Sequence, residues 1–296
     1  MPASPGASEG PSVSVIIPLE FHRGQAGNCL ELWLSGQTHP REDFEIILAC
    51  PPDFPQDQRQ AIQEKLAPWD RLVEFPCPHD IALVEQGARL ARGAFFFFTE
   101  SHVLPEPDTL ERVMQAFGDH PEWAGFSLQS VPITHNFLSE IEARFYSPVI
   151  QQGLSGHPWC KVLDQCFAVR RVPYFQAVGF QAEFGHYSEW VLAARFHVLG
   201  HRIGYLPEGK INHYYIGELH DLEEFTADFA AGHWQWFLQS ANDPTRALMQ
   251  EPPVYAQRFE NRRTLAQTLA EVAQSSPPAA SVRTYWKLAG WFGIRS

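Results

Sequence analysis

The feature that most narrows what this chain can fold into is Phe95-Phe96-Phe97-Phe98, four bulky apolar residues in a row between Gly93-Ala94 and Thr99-Glu100. A strand with one face in water alternates apolar and polar side chains. A run without alternation belongs to a strand covered on both faces, as in the centre of a parallel sheet. The residues before it have the matching rhythm. Val13-Ser14-Val15-Ile16-Ile17, stopped by Pro18, reads as a β-branched strand. Ala26, Cys29, Leu30, Trp33 and Leu34 then recur at the spacing of one helix face. Phe44 to Leu48, closed by Pro51-Pro52, predicts a second strand, Ile62 and Leu66 a second helix, and Leu72 to Phe75 a third strand. Val84, Gly87, Ala88 and Ala91 mark a further helix face, with Gly93 placed as its C-cap. Strands and helices in alternation predict a doubly wound α/β fold on a mostly parallel sheet. Right-handed crossovers put the C-terminal ends of those strands on one edge, where such sheets bind ligands. After the phenylalanine run, that edge holds Thr99-Glu100-Ser101-His102.

The second half is more mixed. Gln165 to Val169 predicts a strand, and Glu189 to Leu199 a helix stopped by Gly200. Arg202 to Leu206 and Lys210 to Tyr214 predict short strands on either side of a Pro207-Glu208-Gly209 turn. From Glu218 onward the pattern is helical, with Leu222, Phe225, Phe229 and Trp236 prominent. The expected organisation is a disordered leader over residues 1–11, an α/β domain over 12–217 and a helical C-terminal extension over 218–296.

Charge and cysteine content exclude several roles. Lys plus Arg number 22 against 34 Asp plus Glu, a net charge of -12, so nucleic acid is excluded as a main partner. The five cysteines are odd in number and form no Cys-x-x-Cys pair. That argues against a zinc ribbon or a disulfide framework and suits a reducing cytoplasm. No apolar run approaches the ~18 residues needed to cross a bilayer. Ser281 to Ser296 mixes Arg283, Lys287 and Arg295 with Tyr285, Trp286, Trp291 and Phe292. Such a mixture suits either peripheral contact with a membrane surface or docking of the aromatics on the domain itself.

Several motifs, in order, resemble one family. Ser12 to Pro18 followed by an amphipathic helix and Gly36-Gln37-Thr38-His39-Pro40 is similar to the opening strand, helix and "QTYP" turn of the family-two nucleotide-sugar glycosyltransferases of GT-A fold. Glu85 to Val113 resembles their segment from "N-x-G-x-x-x-A-x-G" through the metal-binding "D-x-D" to "P-x-x-L". Val178-Gly179-Phe180, Ser188-Glu189 before Arg195, and Gly200 to His213 stand where the family has "GGF", "ED-x-x-L-x-x-R" and a later histidine. The resemblance spans residues 12 to 215 and implies a GT-A domain over 12–217. Three departures stand beside it. "DDGS" is Ala49-Cys50-Pro51-Pro52 with Asp53 the nearest acid, "D-x-D" is Glu100-Ser101-His102, and the processive "Q-x-x-R-W" is absent.

The resemblance implies a non-processive, inverting hexosyltransferase that moves a sugar from a nucleoside-diphosphate sugar to a hydroxyl acceptor, whether glycan, lipid-linked or small molecule. Charge building on the leaving diphosphate calls for a divalent cation, Mn²⁺ or Mg²⁺, and Mn²⁺ accepts imidazole more readily. An Asp-x-His pair occurs among polypeptide N-acetylgalactosaminyltransferases, so the resemblance makes Glu100 and His102 metal ligands, with His213 as a third. Glu20, Asp53, Glu100 and Ser101 are the implied donor-binding residues, and Glu189 the implied catalytic base. Arg195 and Lys161 are the alternative cations for the diphosphate. From the residues alone, Glu100 and His102 read as strand-end polar groups, Glu189 as an acid favoured by a helix N-terminus, and Asp80 as a helix cap. Trp159 reads as a loop anchor or a sugar-stacking ring, and His186 fits no spacing. The lost "DDGS" and "D-x-D" keep a second reading open, a catalytically inactive relative that binds nucleotide, glycan or protein.

Overall fold

The computed structural model describes residues 10–19, 23–77, 79–141, 143–144, 154 and 156–249. Its strands are β1 (Val13–Pro18), β2 (Phe44–Cys50), β3 (Arg71–Glu74), β4 (Phe95–Thr99), β5 (Val103–Pro105), β6 (Trp123–Ile133), β7 (Cys166–Arg170) and β8 (Arg202–Tyr214). They form one sheet in the order β3-β2-β1-β4-β7-β6-β8-β5. The helices are α1 (Ala26–Leu34), α2 (Gln56–Gln63), α3 (Asp80–Leu90), α4 (Thr109–Asp119), α5 (Arg171–Gln176), α6 (Ser188–Val198), α7 (Leu219–Gln239) and α8 (Arg246–Met249).

The phenylalanine strand behaves as its composition requires. β4 lies between β1, in parallel register Val13↔Phe95 to Ile16↔Phe98, and β7, antiparallel to it. Phe96, Phe97 and Phe98 are wholly buried. Successive residues serve opposite faces of the sheet. Phe97 meets Trp33 of α1 at 5.4 Å, in the layer that also holds Ile62 of α2 and Val113 of α4. Phe96 and Phe98 face the other layer, with Ile81 and Val84 of α3, Leu192 and Phe196 of α6, and Phe180. Each such ring contributes about 1.5–3 kcal/mol by leaving water.

Gly93 is not the left-handed cap of α3. That helix ends at Leu90, and its cap residue Ala91 is extended (φ -64°, ψ 136°). A side chain at Gly93 would come within 2.7 Å of the Ser14 backbone nitrogen, so glycine is required for close approach to β1. The approach lets Ser14 Oγ accept from Gly93 N (2.9 Å) and donate to the buried Glu45 carboxylate (2.7 Å).

Two differences from the sequence expectation concern the second half. β6 has no counterpart in it, because Gly125, Ser127, Gln129 and Pro132 break its apolar pattern; Ser127 is nonetheless buried, donating to Lys161 O and accepting from Leu163 N. The two short strands around Pro207-Glu208-Gly209 are one strand, β8. Its pairing with β6 jumps from Leu128↔Leu206 to Gln129↔Lys210, so the three turn residues bulge from a continuous ladder.

Strand direction then places the site. β1, β2, β3 and β4 run parallel; β7 runs against β4, β6 against β7, and β8 with β6. The C-terminal ends of β4 and β8 therefore share one edge with the start of β7. β5 runs against β8 and begins at that edge, with Val103 opposite His213.

Candidate active site

Three polar side chains converge where that edge closes. Glu100 follows β4, His102 precedes β5, and His213 lies near the end of β8. His102 Nε2 is 3.1 Å from His213 Nε2 and 3.0 Å from Glu100 Oε2, and His213 Nε2 is 3.6 Å from the same oxygen. Adjacent ligands around one ion, with bonds of about 2.1 Å, stand ~3.0 Å apart at right angles, so the three donors are spaced to share an ion. Glu100 Oε2 is buried and makes no hydrogen bond among the described residues. Burial pushes His213 well below the ordinary imidazole range against the pull of Glu100, and the charges of His102 and Arg23 help. A neutral imidazole is the form that binds a metal. Ser130 Oγ lies 3.4 Å from His213 Nδ1 and steadies the ring with Nε2 toward the group. The residues fit a divalent cation.

A fixed positive charge stands beside this triad. Arg23, in the loop after β1, donates to the carbonyl of Tyr214 at 2.6 Å, and its charge is felt at His213. The two cations expected from the sequence, Arg195 and Lys161, are not beside the triad. Arg195 bonds Gln181 Oε1 and faces Asp243, and the charge near Lys161 is Arg202, at the opposite end of β8.

A second group of acids and histidines surrounds Glu189. Its Oε1 accepts from the backbone N–H of Asp164 at 2.6 Å, two residues before β7. Burial and the Asp164 carboxylate push Glu189 well above the ordinary glutamate range. The helix N-terminus was expected to keep this carboxyl readily ionised; desolvation and a like charge outweigh it. Asp164 is raised too, by burial and Glu100, with His186 opposing. His186 lies between two acids, Nδ1 3.4 Å from Asp164 Oδ2 and Nε2 3.2 Å from Asp80 Oδ2. Burial would lower its pKa, but Asp80 and Asp164 hold it well above the usual range. Asp80 is not the helix cap expected of it: His79 holds the cap position, and Asp80, the first helical residue, accepts from the Ile81 N–H at 2.6 Å. Burial would raise its pKa, yet His186 and His79 keep its carboxyl below the ordinary range.

The remaining expected residues divide. Ser101 is buried in the link between β4 and β5. Asp53 is exposed on the turn after β2, at the ligand edge. Glu20 lies outside the described residues, as does Ser281 to Ser296. Ser188, where the family has an acid, is buried and accepts from Gln181 N at 2.7 Å. Trp159 is an anchor, buried among Val162, Phe167 and Tyr174. Asp164 and His186 were not singled out in the sequence, because antiparallel β7 and the turn before α6 bring them together and no spacing records it.

Known structures share this architecture. A mannosyltransferase of Pyrobaculum calidifontis, PcManGT, solved with GDP-Man and Mn²⁺, aligns with a TM-score of 0.60 at 18% identity, over 99% of this chain and 86% of its own. S. aureus TarS 1-349 in complex with UDP-GlcNAc aligns with a TM-score of 0.55 at 12% identity, over 90% and 82%. A mycobacterial protein aligns at 0.53 and 15%, over 77% and 78%. The fold is that of the GT-A glycosyltransferases, a curled, mostly parallel sheet flanked by helices. No protein-family model matches the sequence, and no curated protein matches it. Among the described residues no helix is long and apolar enough to cross a membrane.

Proposed function

We propose that this protein is a non-processive, inverting glycosyltransferase that takes a sugar from a nucleoside-diphosphate sugar to a hydroxyl acceptor. The observation that carries the reading is the Glu100, His102 and His213 group at the ligand edge of a GT-A sheet. PcManGT and TarS, which share the fold, were solved with GDP-Man and Mn²⁺ and with UDP-GlcNAc. Glu100, His102 and His213 would hold Mn²⁺ or Mg²⁺, which when bound neutralises charge on the leaving diphosphate. Arg23 adds a cation that needs no metal.

Glu189 serves as the base. The acceptor oxygen attacks the anomeric carbon, the bond from that carbon to the diphosphate oxygen breaks with its electron pair, and the hydroxyl proton passes to the Glu189 carboxylate. A base of raised pKa is well matched to such a transfer near neutral pH. Asp53, exposed at the same edge, and Glu20 are offered to the nucleoside, and a cytoplasmic location belongs to the same reading.

A thermal-shift screen of UDP, GDP and their sugars, with Mn²⁺, Mg²⁺ or a chelator, tests the reading. Stabilisation by one nucleotide class that rises with metal is expected. Silence across the set overturns the donor site and favours an inactive relative that binds glycan or protein.

A further inference from the structure

α7 comes after the last strand of the sheet, yet it sends one charged side chain into the group around Glu189. Asp228 Oδ2 accepts the backbone N–H of His186 at 2.8 Å, and Asp228 Oδ1 is 2.7 Å from His79 Nε2. His79 Nδ1 is 3.7 Å from Asp80 Oδ1, and Asp80 Oδ2 is 3.2 Å from His186 Nε2. Asp228 thus holds His186 directly at the backbone, while its link through His79 to Asp80 is electrostatic only, since His79 Nδ1 makes no hydrogen bond among the described residues. The other ring nitrogen of His186 meets Asp164, whose N–H holds Glu189.

The helix is seated for this contact by two glycines. A side chain at Gly185 would collide with the Asp228 carboxylate at 2.2 Å, and one at Gly232, a turn further along α7, with the Phe184 carbonyl at 1.8 Å. Gly185 also has φ 47°, in the left-handed region that favours glycine. Trp236 is buried against Tyr187 and Phe184, and Phe225 packs at a tilt against the His186 ring, 4.6 Å between centroids. One face of α7 closes the turn that carries His186.

We propose that Asp228 is a positioning residue for the Glu189–Asp164 pair, acting through His186, and that α7 is part of the catalytic site. The inference rests on Glu189 being the base. The charged groups facing His186 are Asp80 and His79 at the start of α3, Asp164 before β7, Glu189 on α6 and Asp228 on α7, with Glu100 felt at Asp164. The Asp228 carboxylate favours the imidazolium of both histidines and, together with Asp80, raises His79 to about 10. A charged His186 in turn favours ionised Glu189. Removing the Asp228 carboxylate also releases the His186 backbone N–H that it holds, so the imidazolium is placed less firmly against Asp164 and Glu189 holds its proton to higher pH.

The test uses the full chain with ¹³C-labelled histidine and the nucleotide sugar found by the screen. In the wild type, His186 is expected to stay imidazolium through pH 7; a neutral His186 overturns the proposal without any variant. In Asp228→Asn, His79 and His186 should titrate at lower pH, and the acid limb of turnover, with water or sugar as acceptor, should move to higher pH. At pH 7, kcat should fall about tenfold or more with KM within roughly twofold, and Asp228→Glu should recover part of the loss. An unchanged titration and acid limb in Asp228→Asn removes the role of α7. Absence of any nucleotide-sugar binding defeats the donor site instead, and the imidazole titration still decides whether Asp228 governs His186.

Discussion

Two groups built from the same residue types lie near one another and differ in how they are satisfied. Around Glu189, the acids Asp80, Asp164, Glu189 and Asp228 each have an N–H or imidazole against them. Around Glu100, the carboxylate oxygen between two histidines is buried and bonded to neither. A buried polar oxygen that makes no hydrogen bond is costly, and a cation bound by the three donors would offset that cost. In the first, each carboxylate has a donor against it, although His79 Nδ1 is buried without a hydrogen bond among the described residues. On the proposed reading, the first group is the proton site and the second the ligand site.

The largest effect that sharpens this contrast is on turnover. Glu189→Gln should leave donor binding nearly intact and cut turnover by roughly 10²–10⁴; steady-state kinetics with a verified acceptor that retained most of the rate would remove Glu189 from the mechanism. Next in size is stability. His186→Ala removes the partner of two buried carboxylates and should cost about 3–5 kcal/mol in denaturant unfolding. Glu100→Gln, which replaces a carboxylate oxygen that makes no hydrogen bond among the described residues, should change stability by less than about 1 kcal/mol, or raise it. Equal losses in the two variants would erase the distinction between the groups.

The two groups were also unequally legible in sequence. Glu100, His102 and His213 stood out because strand ends and the family resemblance both point at the ligand edge. Asp164 and His186 did not, since the first depends on an antiparallel strand entering at that edge and the second on a left-handed turn at Gly185. β4 was evident because four phenylalanines admit few environments. β6 was not, because its buried polar member, Ser127, is satisfied by the backbone of the 161–163 segment, a partner no local pattern reveals.

A finer test concerns the pH dependence of turnover. The Asp164 charge raises Glu189, so Asp164→Asn should let Glu189 ionise at lower pH. The acid limb of the rate profile should move down, opposite to the shift expected for Asp228→Asn. Movement of both variants in the same direction would break the proposed coupling. The smallest effect is local to the backbone. Val178 is β-branched and exposed, yet holds φ 72° in the left-handed region. Val178→Gly should stabilise the protein by about 1 kcal/mol, seen as a raised denaturation midpoint, since relief of strain of ~1–3 kcal/mol outweighs the added freedom of glycine in the unfolded chain.

The central claim is that Glu100, His102 and His213 hold a divalent cation that joins nucleotide to protein. Titration calorimetry of UDP and GDP into the full chain, with Mn²⁺ and then with excess chelator, measures it directly. Affinity for one nucleotide should fall tenfold or more, on the order of 10–100-fold, when the metal is withdrawn, and His102→Ala should reproduce the loss in the presence of Mn²⁺. Affinity unchanged by the chelator and by His102→Ala would contradict the claim and leave Arg23 as the cation that meets the diphosphate.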